Sequence, residues 1–144
     1  MSFETDDDIA ALLEGFRGRT LPKEKWTHAA HWAAALGLIA EDAAAAHRDM
    51  PGMIRAYNES VGGRNTETEG YHETITVASL KAAEHALGAA PEGTPLHAVL
   101  SDLLAGPCGK PDWILDYWRR ETLFSVKARR EWVAPDIRAL PFGA

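Results

Sequence analysis

Two short stretches of the sequence concentrate side chains that can do chemistry, and the first is Trp-Thr-His-Ala-Ala-His-Trp at residues 26–32. His28 and His31 are three positions apart, and on a helix this spacing puts both rings on one face, with their β-carbons about 5–6 Å apart. Two imidazoles placed in this way can share a metal ion or a small ligand. Both also lie near a predicted helix start, where the helix dipole favours the neutral imidazole that a metal requires.

The second stretch is Gly-Tyr-His-Glu-Thr-Ile-Thr at residues 70–76. Tyr71, His72 and Glu73 offer a phenol, an imidazole and a carboxylate in succession. Our first hypothesis is that His72 joins the histidine pair as a third ligand of a divalent metal ion. One coordination position would stay open, as in catalytic zinc sites. In such a site Glu73 is the general base and Tyr71 donates a hydrogen bond to the substrate.

Several alternatives stay open on the sequence. Without a metal, the same groups bind a small polar molecule and a histidine acts as the acid–base. In another alternative, the protein is a non-catalytic binding or interaction module. The histidine, tyrosine and glutamate side chains then form a buried hydrogen-bond network that fixes the register of the helices. Residues 71–73 also cannot all face one site if they are helical, because successive helix positions differ by about 100°.

Further candidates for contact with a ligand lie near these stretches. Trp32 can form the wall of an apolar pocket beside the histidines. Asn58 precedes the polar loop at residues 62–70, and Asn65 lies within it. A polar amide next to an apolar helix face needs a partner. We therefore include both asparagines among the candidate ligand-binding residues.

Arginines in the last third of the chain are candidates for holding an anion. Arg119, Arg120 and Arg129 carry guanidinium groups, which suit carboxylate and phosphate. We select Arg129 as a ligand-binding candidate. The alternative is that these residues form surface ion pairs with Glu121 or Glu131.

Hydrophobic spacing predicts the helices that must position these side chains. Thr5 caps a first helix, which has aspartates in its first turn and ends at Gly18. A second helix begins near Pro22, since proline suits a first turn, and runs to about Ala40. The back half of this second helix has no polar side chain, which indicates a buried helix.

The remaining predicted helices complete an all-α fold. They cover residues 41–61 with a break or kink at Pro51, residues 71–90, a segment that starts at Thr94-Pro95, residues 111–119, and residues 125–132 with Ser125 as a cap. The tail is predicted to lie extended over the body of the protein. The prediction is therefore one bundle-like domain over residues 1–144, with six or seven helices.

Composition excludes several classes of protein. The 144 residues carry a net charge of −6 without a long basic stripe, which argues against a nucleic-acid-binding module. The longest apolar run, residues 32–40, is shorter than the roughly 20 residues of a membrane span. Cys108 is the only cysteine, and the acidic N-terminus does not resemble a signal peptide. We expect a cytoplasmic protein whose partner is a small molecule rather than a nucleic acid or a membrane.

Three stretches together resemble a family of small bacterial proteins of unknown function. They are Trp-Thr-His-Ala-Ala-His, Gly-Tyr-His-Glu-Thr and the C-terminal stretch Leu-Phe-Ser-Val-Lys-Ala-Arg-Arg-Glu-Trp-Val-Ala-Pro-Asp-Ile-Arg-Ala-Leu-Pro. The resemblance covers residues 20–141. It supports the choice of the histidines and of the Tyr-His-Glu-Thr block, and it implies that the tail belongs to the fold. It implies nothing about a reaction.

Overall fold

The computed structural model describes residues 2–142, which form seven α-helices and no β-strand. The prediction of an all-α fold with six or seven helices is confirmed. In chain order the helices are α1 (Asp6–Arg17), α2 (His28–Glu41), α3 (Ala43–Ser60), α4 (Glu73–Ala89), α5 (Leu96–Ala105), α6 (Arg120–Leu123) and α7 (Val126–Arg130). Within the described residues, no helix combines the length and the apolar character that crossing a membrane requires.

Helix α1 begins and ends where the sequence predicts. The Thr5 hydroxyl accepts a hydrogen bond from the backbone N–H of Asp8 (3.2 Å), and the Asp8 carboxylate accepts one from the N–H of Thr5 (3.0 Å). This reciprocal pair is a capping box, which satisfies two donors at the helix start. The apolar residues of α1 are buried and pack it against α2, α3 and α5: Ile9, Leu12, Leu13 and Phe16.

Helix α2 begins later than predicted. Pro22 leads into a short 3₁₀ turn, and α2 itself starts at His28. The reason is Thr27, whose hydroxyl accepts a hydrogen bond from the N–H of Ala30 (3.2 Å) and so caps the helix. His28 is therefore the first residue of α2 and His31 the fourth. Both lie at the positive end of the helix dipole, as the sequence predicts.

Helix α2 is the centre of the molecule. It contacts α1, α3, α4 and α5, and every residue from Trp32 to Ile39 is buried. This confirms the prediction of a buried helix. Because the two histidines precede this run, they lie where the core meets the surface.

Helix α3 continues without a break through Pro51, where the sequence predicts a break or a kink. Asp42 separates α2 from α3 and caps the latter, since its carboxylate accepts a hydrogen bond from the N–H of Ala45 (3.1 Å). Pro51 lies inside α3. A proline removes one helical hydrogen bond, but Met50 and Tyr57 are buried and anchor both halves of α3 in the core. Tertiary packing therefore outweighs the local signal.

Helix α4 begins two residues later than predicted, at Glu73. His72 is its N-cap, and ring atom Nδ1 of His72 accepts a hydrogen bond from the N–H of Ile75 (3.1 Å). Tyr71 consequently lies outside the helix. The 100° step between successive helix positions therefore does not fix the direction of the Tyr71 side chain relative to those of α4.

The last third of the chain is less regular than predicted. Instead of a helix over 111–119, a 3₁₀ turn forms at Trp113–Asp116, and the four-residue α6 follows. Ser125 caps α7 as predicted, with its hydroxyl accepting a backbone hydrogen bond. The tail, as far as Phe142, contains no helix, and it is held against the body of the protein. The N–H of Ile137, for example, donates a hydrogen bond to the carbonyl of Tyr117 (2.9 Å).

Candidate functional site

A cavity of about 570 Å³, called the main cavity here, lies between α2, α3, α4 and the segment 111–124. Buried apolar side chains form its inner wall: Trp32, Ala35, Met50, Leu80, Trp113 and Ile114. Exposed residues mark its mouth: Pro111, Asp112, Arg120 and Phe124. A concave and mostly apolar space with a few polar groups is the usual form of a small-molecule site.

His31 lines the main cavity with one ring nitrogen left for a ligand. Its Nδ1 lies 2.7 Å from the carbonyl oxygen of Thr27. Since a carbonyl only accepts hydrogen bonds, we assign the proton to Nδ1, and Nε2 then carries a lone pair. The ring also packs on Trp26, with a centroid separation of 4.0 Å. His31 is therefore held in one orientation on two sides.

The imidazole of His31 is uncharged at neutral pH. Desolvation lowers its pKa below the ordinary value of 6.5, the hydrogen bond to Thr27 acts in the opposite direction, and the nearby His28 lowers the pKa further. The side chain is accessible because it faces the cavity, while the surrounding protein still removes much of its hydration. The result is a neutral acceptor in an apolar space.

His28 also lines the main cavity, and its ring is held by a backbone carbonyl that Trp32 also contacts. Nε2 of His28 lies 2.9 Å, and Nε1 of Trp32 lies 3.2 Å, from the carbonyl oxygen of Cys108. A carbonyl oxygen has two lone pairs, so we assign both nitrogens as donors to it. Nδ1 of His28 is then the nitrogen left with a lone pair. The predicted role of Trp32 as a pocket wall agrees with its position in this cavity.

Some polar groups of the main cavity were missed at the level of sequence. Thr76 and Ser79 of α4 line it, and so does Asp112 at its mouth. A signal was present, because Thr76 and Ser79 are three positions apart on a helix and so share one face. The Thr76 hydroxyl is already used, since it donates to the carbonyl of His72 (2.8 Å).

His72 does not reach the main cavity as a ligand-binding group. Its Nε2 lies 2.6 Å from the carbonyl of Leu123, and its Nδ1 accepts the hydrogen bond from Ile75 that caps α4. Both ring nitrogens are therefore bonded to backbone groups. Desolvation lowers the pKa of His72, so the ring is neutral in this buried position. The structure thus places His72 as the N-cap of α4 and does not bring it to the histidine pair.

The three histidines predicted as metal ligands do not form a cluster. Among residues 2–142, no group of three or more His, Cys, Asp or Glu side chains is arranged to hold a metal ion. His28 and His31 line the main cavity, whereas His72 joins the start of α4 to the end of α6.

Tyr71 and Glu73, predicted as the hydrogen-bond donor and the general base, contact each other. The Tyr71 hydroxyl donates a 2.5 Å hydrogen bond to Oε1 of Glu73. Desolvation and this hydrogen bond raise the pKa of Tyr71, whose side chain is buried. Neither residue is part of the lining of the main cavity. Their contact stabilises the entry to α4.

The two predicted asparagines hold the loop between α3 and α4. Nδ2 of Asn58 donates to Oδ1 of Asn65 (3.0 Å), and the same oxygen accepts from the N–H of Tyr71 (3.0 Å). Nδ2 of Asn65 donates to the carbonyl of Arg55 (3.0 Å). These contacts hold the loop in place, and Asn65 also lines a second cavity.

That cavity is a second, smaller one of about 290 Å³, called the arginine cavity here. Its lining residues are Arg55, Asn65, Thr66, Glu67, Tyr71, Arg129 and Arg130. Arg129, a predicted ligand-binding residue, is thus in a cavity, but a different one from the histidines. Arg120 is at the mouth of the main cavity, so the arginines weighed as anion holders do not converge.

No family model, no curated protein and no solved structure matches this chain. The resemblance to a family of small bacterial proteins stays a prediction. A function can therefore be inferred only from the geometry of the chain itself.

Proposed function

We propose that the protein binds a small, mostly apolar organic molecule in the main cavity. A hydroxyl or N–H group of this molecule donates a hydrogen bond to Nε2 of His31. The observation that supports this proposal is the bond from Nδ1 of His31 to Thr27, because it leaves Nε2 as an acceptor in an apolar cavity. A ligand donor that pairs with this nitrogen gains a hydrogen bond while the rest of the ligand contacts the apolar walls of the cavity.

The inner wall favours a ligand with a flat apolar part. Trp32 and Trp113 lie side by side there, with a ring-centroid separation of 5.8 Å, and both are buried. Aromatic side chains offer large contact areas at low cost in conformational entropy, and they pair well with other rings. An aromatic or cyclic alcohol, phenol or amide fits these features best.

The same nitrogen can accept a proton as well as a hydrogen bond. A general base must be in its basic form at the working pH, and it is most effective when its pKa lies near that pH. The lowered pKa of His31 keeps its ring in the basic form at neutral pH. Proton abstraction from a bound hydroxyl or an acidic C–H is the reaction that the site supports, and His31 is the residue we propose for it.

The alternative function, a structural hydrogen-bond network, is the better account of the second stretch. Tyr71 donates to Glu73, and His72 bonds to the carbonyl of Leu123 and to the N–H of Ile75. We propose that these residues serve the fold, while His28 and His31 serve the ligand.

The divalent metal ion stays a prediction, as does the cytoplasmic location. In each of the two cavity histidines, one ring nitrogen donates to a backbone carbonyl and the other keeps a lone pair. The lone pairs are therefore on Nδ1 of His28 and on Nε2 of His31. Catalytic zinc sites ordinarily use three protein ligands. A metal at this cavity would therefore need a further ligand, and elemental analysis can test for it.

Phenol and anisole form a probe pair that tests the proposal. They share a ring, but only phenol can donate a hydrogen bond. We expect phenol to bind the wild-type protein at least about fivefold more tightly than anisole, a difference of about 1 kcal/mol for one hydrogen bond. In His31→Phe, which keeps an aromatic ring against Trp26, this preference should disappear. NMR titration measures both affinities.

A control variant is His47→Phe, because His47 pairs with Glu84 at the surface and lies outside the main cavity. It should keep the preference of the wild type. Equal preference for phenol in wild type and His31→Phe, or no saturable binding of either probe, would contradict the proposal.

A further inference from the structure

The arginine cavity has the charge and the donors of an anion site. We propose that it binds an oxyanion, the phosphate or carboxylate group of a small molecule, between Arg55 and Arg129. This site is separate from the main cavity, so the proposal goes beyond the function proposed for His31. It also adds Arg55, which the sequence patterns did not single out.

Arg129 is oriented by backbone groups and keeps donors for a ligand. Its Nη1 donates to the carbonyls of Gly70 (3.0 Å) and Tyr71 (3.3 Å). Its Nε is closed off from solvent and has no hydrogen-bond partner. Nη2 has no hydrogen bond within residues 2–142, and unlike Nε it is accessible to solvent. The guanidinium is thus fixed in place, with its charge and one accessible amino group uncompensated.

Arg55 is oriented by an aromatic ring rather than by an acid. Its guanidinium carbon lies 4.2 Å from the centroid of the Tyr71 ring, which is a cation–π contact. The contact restrains the guanidinium plane without occupying its hydrogen-bond donors. Since Arg129 bonds to the backbone of the same tyrosine, Tyr71 brings the two arginines to one cavity.

The acidic side chains nearby are already engaged elsewhere. Glu67 pairs with Arg130, Glu73 accepts from the Tyr71 hydroxyl, and Glu59 accepts from Nδ2 of Asn65. Neither Arg55 nor Arg129 takes part in an ion pair among residues 2–142.

Three arginines and one glutamate line the arginine cavity, so its lining carries two net positive charges. This contrasts with the overall charge of −6. Two restrained guanidinium groups without a counter-charge are suited to the paired hydrogen bonds that carboxylate and phosphate accept.

Calorimetric titration with inorganic phosphate, and separately with acetate, tests this proposal at low ionic strength. We expect saturable binding of at least one of the two probes to the wild-type protein. Arg55→Gln should weaken that binding by about tenfold or more, because it removes a charged donor from the site. The backbone carbonyl of Arg55 that receives Asn65 is retained in this variant, so the loop should stay in place.

The matched control is Arg48→Gln, which makes the same change of charge on the same helix at an exposed arginine paired with Asp49. It should bind the anion like the wild type. Equal weakening by both variants would show that binding depends only on net charge, and it would overturn the proposal. The proposal would also be wrong if neither phosphate nor acetate showed saturable binding. Phenol binding in the main cavity should be unchanged in Arg55→Gln, so the two proposals can fail independently.

Discussion

The Nδ1–H group of His31 donates a 2.7 Å hydrogen bond to the carbonyl oxygen of Thr27. Thr27 is also the N-cap of α2, since its hydroxyl accepts from the N–H of Ala30. One residue thus starts the helix with its side chain and selects the tautomer of His31 with its backbone. The tautomer that leaves Nε2 of His31 with a free lone pair therefore depends on where α2 begins.

Phenol binding should depend on pH through His31. A proton and the phenol hydroxyl compete for Nε2, and the pKa of His31 lies below 6.5. Phenol affinity should therefore be constant above pH 6.5 and fall at lower pH, by up to about tenfold per pH unit once the ring is protonated. Affinity measured by NMR at a series of pH values tests this. The same decline for phenol in His31→Phe would assign it to another group.

His72→Ala should destabilise the protein by about 2–4 kcal/mol. The variant loses the cap on Ile75 and leaves the carbonyl of Leu123 without its 2.6 Å partner. His72→Asn retains a side-chain acceptor at the N-cap, so it should lose less of the free energy of unfolding. Urea denaturation of the three proteins measures these differences. If His72→Ala were as stable as the wild type, the capping role would be wrong.

Gly70→Ala should cost more stability than Gly62→Ala. Both glycines have positive φ, +83° and +88°, so an alanine at either position costs about 1–2 kcal/mol in backbone strain. At Gly70 a β-carbon would also lie 2.0 Å from the carbonyl oxygen of Arg64, whereas at Gly62 it would meet nothing within 4 Å. We expect Gly70→Ala to lose about 1–3 kcal/mol more in urea denaturation. Equal losses would show that the loop can move away from the new methyl group.

Metal content should be independent of His72. Both of its ring nitrogens are bonded to backbone groups, so it has no lone pair for an ion. Elemental analysis of the wild type, of His72→Asn and of a His28→Ala, His31→Ala double variant can test this. We expect His72→Asn to match the wild type, and any stoichiometric metal to vanish in the double variant. Loss of metal in His72→Asn alone would contradict the assigned hydrogen bonds.

The predictions that rest on interactions between residues close together in the sequence agree best with the structure. The cap at Thr5 and the buried run of α2 are confirmed, because a capping hydroxyl and an apolar helix act within a few residues. The start of α2 is within reach of sequence reasoning, since Thr27 is a common N-cap residue type. Pro22, by contrast, precedes only a short 3₁₀ turn. The continuous helix through Pro51 is beyond such reasoning, because buried Met50 and Tyr57 decide it.

The sequence by itself determined that His28 and His31 share a face, because a three-residue spacing on a helix has only one geometry. Only the tertiary structure decided what that face meets. The segment 111–124 forms one side of the main cavity, and the ring of His72 bonds to a carbonyl 51 positions away at Leu123. Local backbone geometry places two rings side by side, whereas a ligand site also needs walls and hydrogen-bond partners from distant parts of the chain. Long-range packing alone brings those parts together.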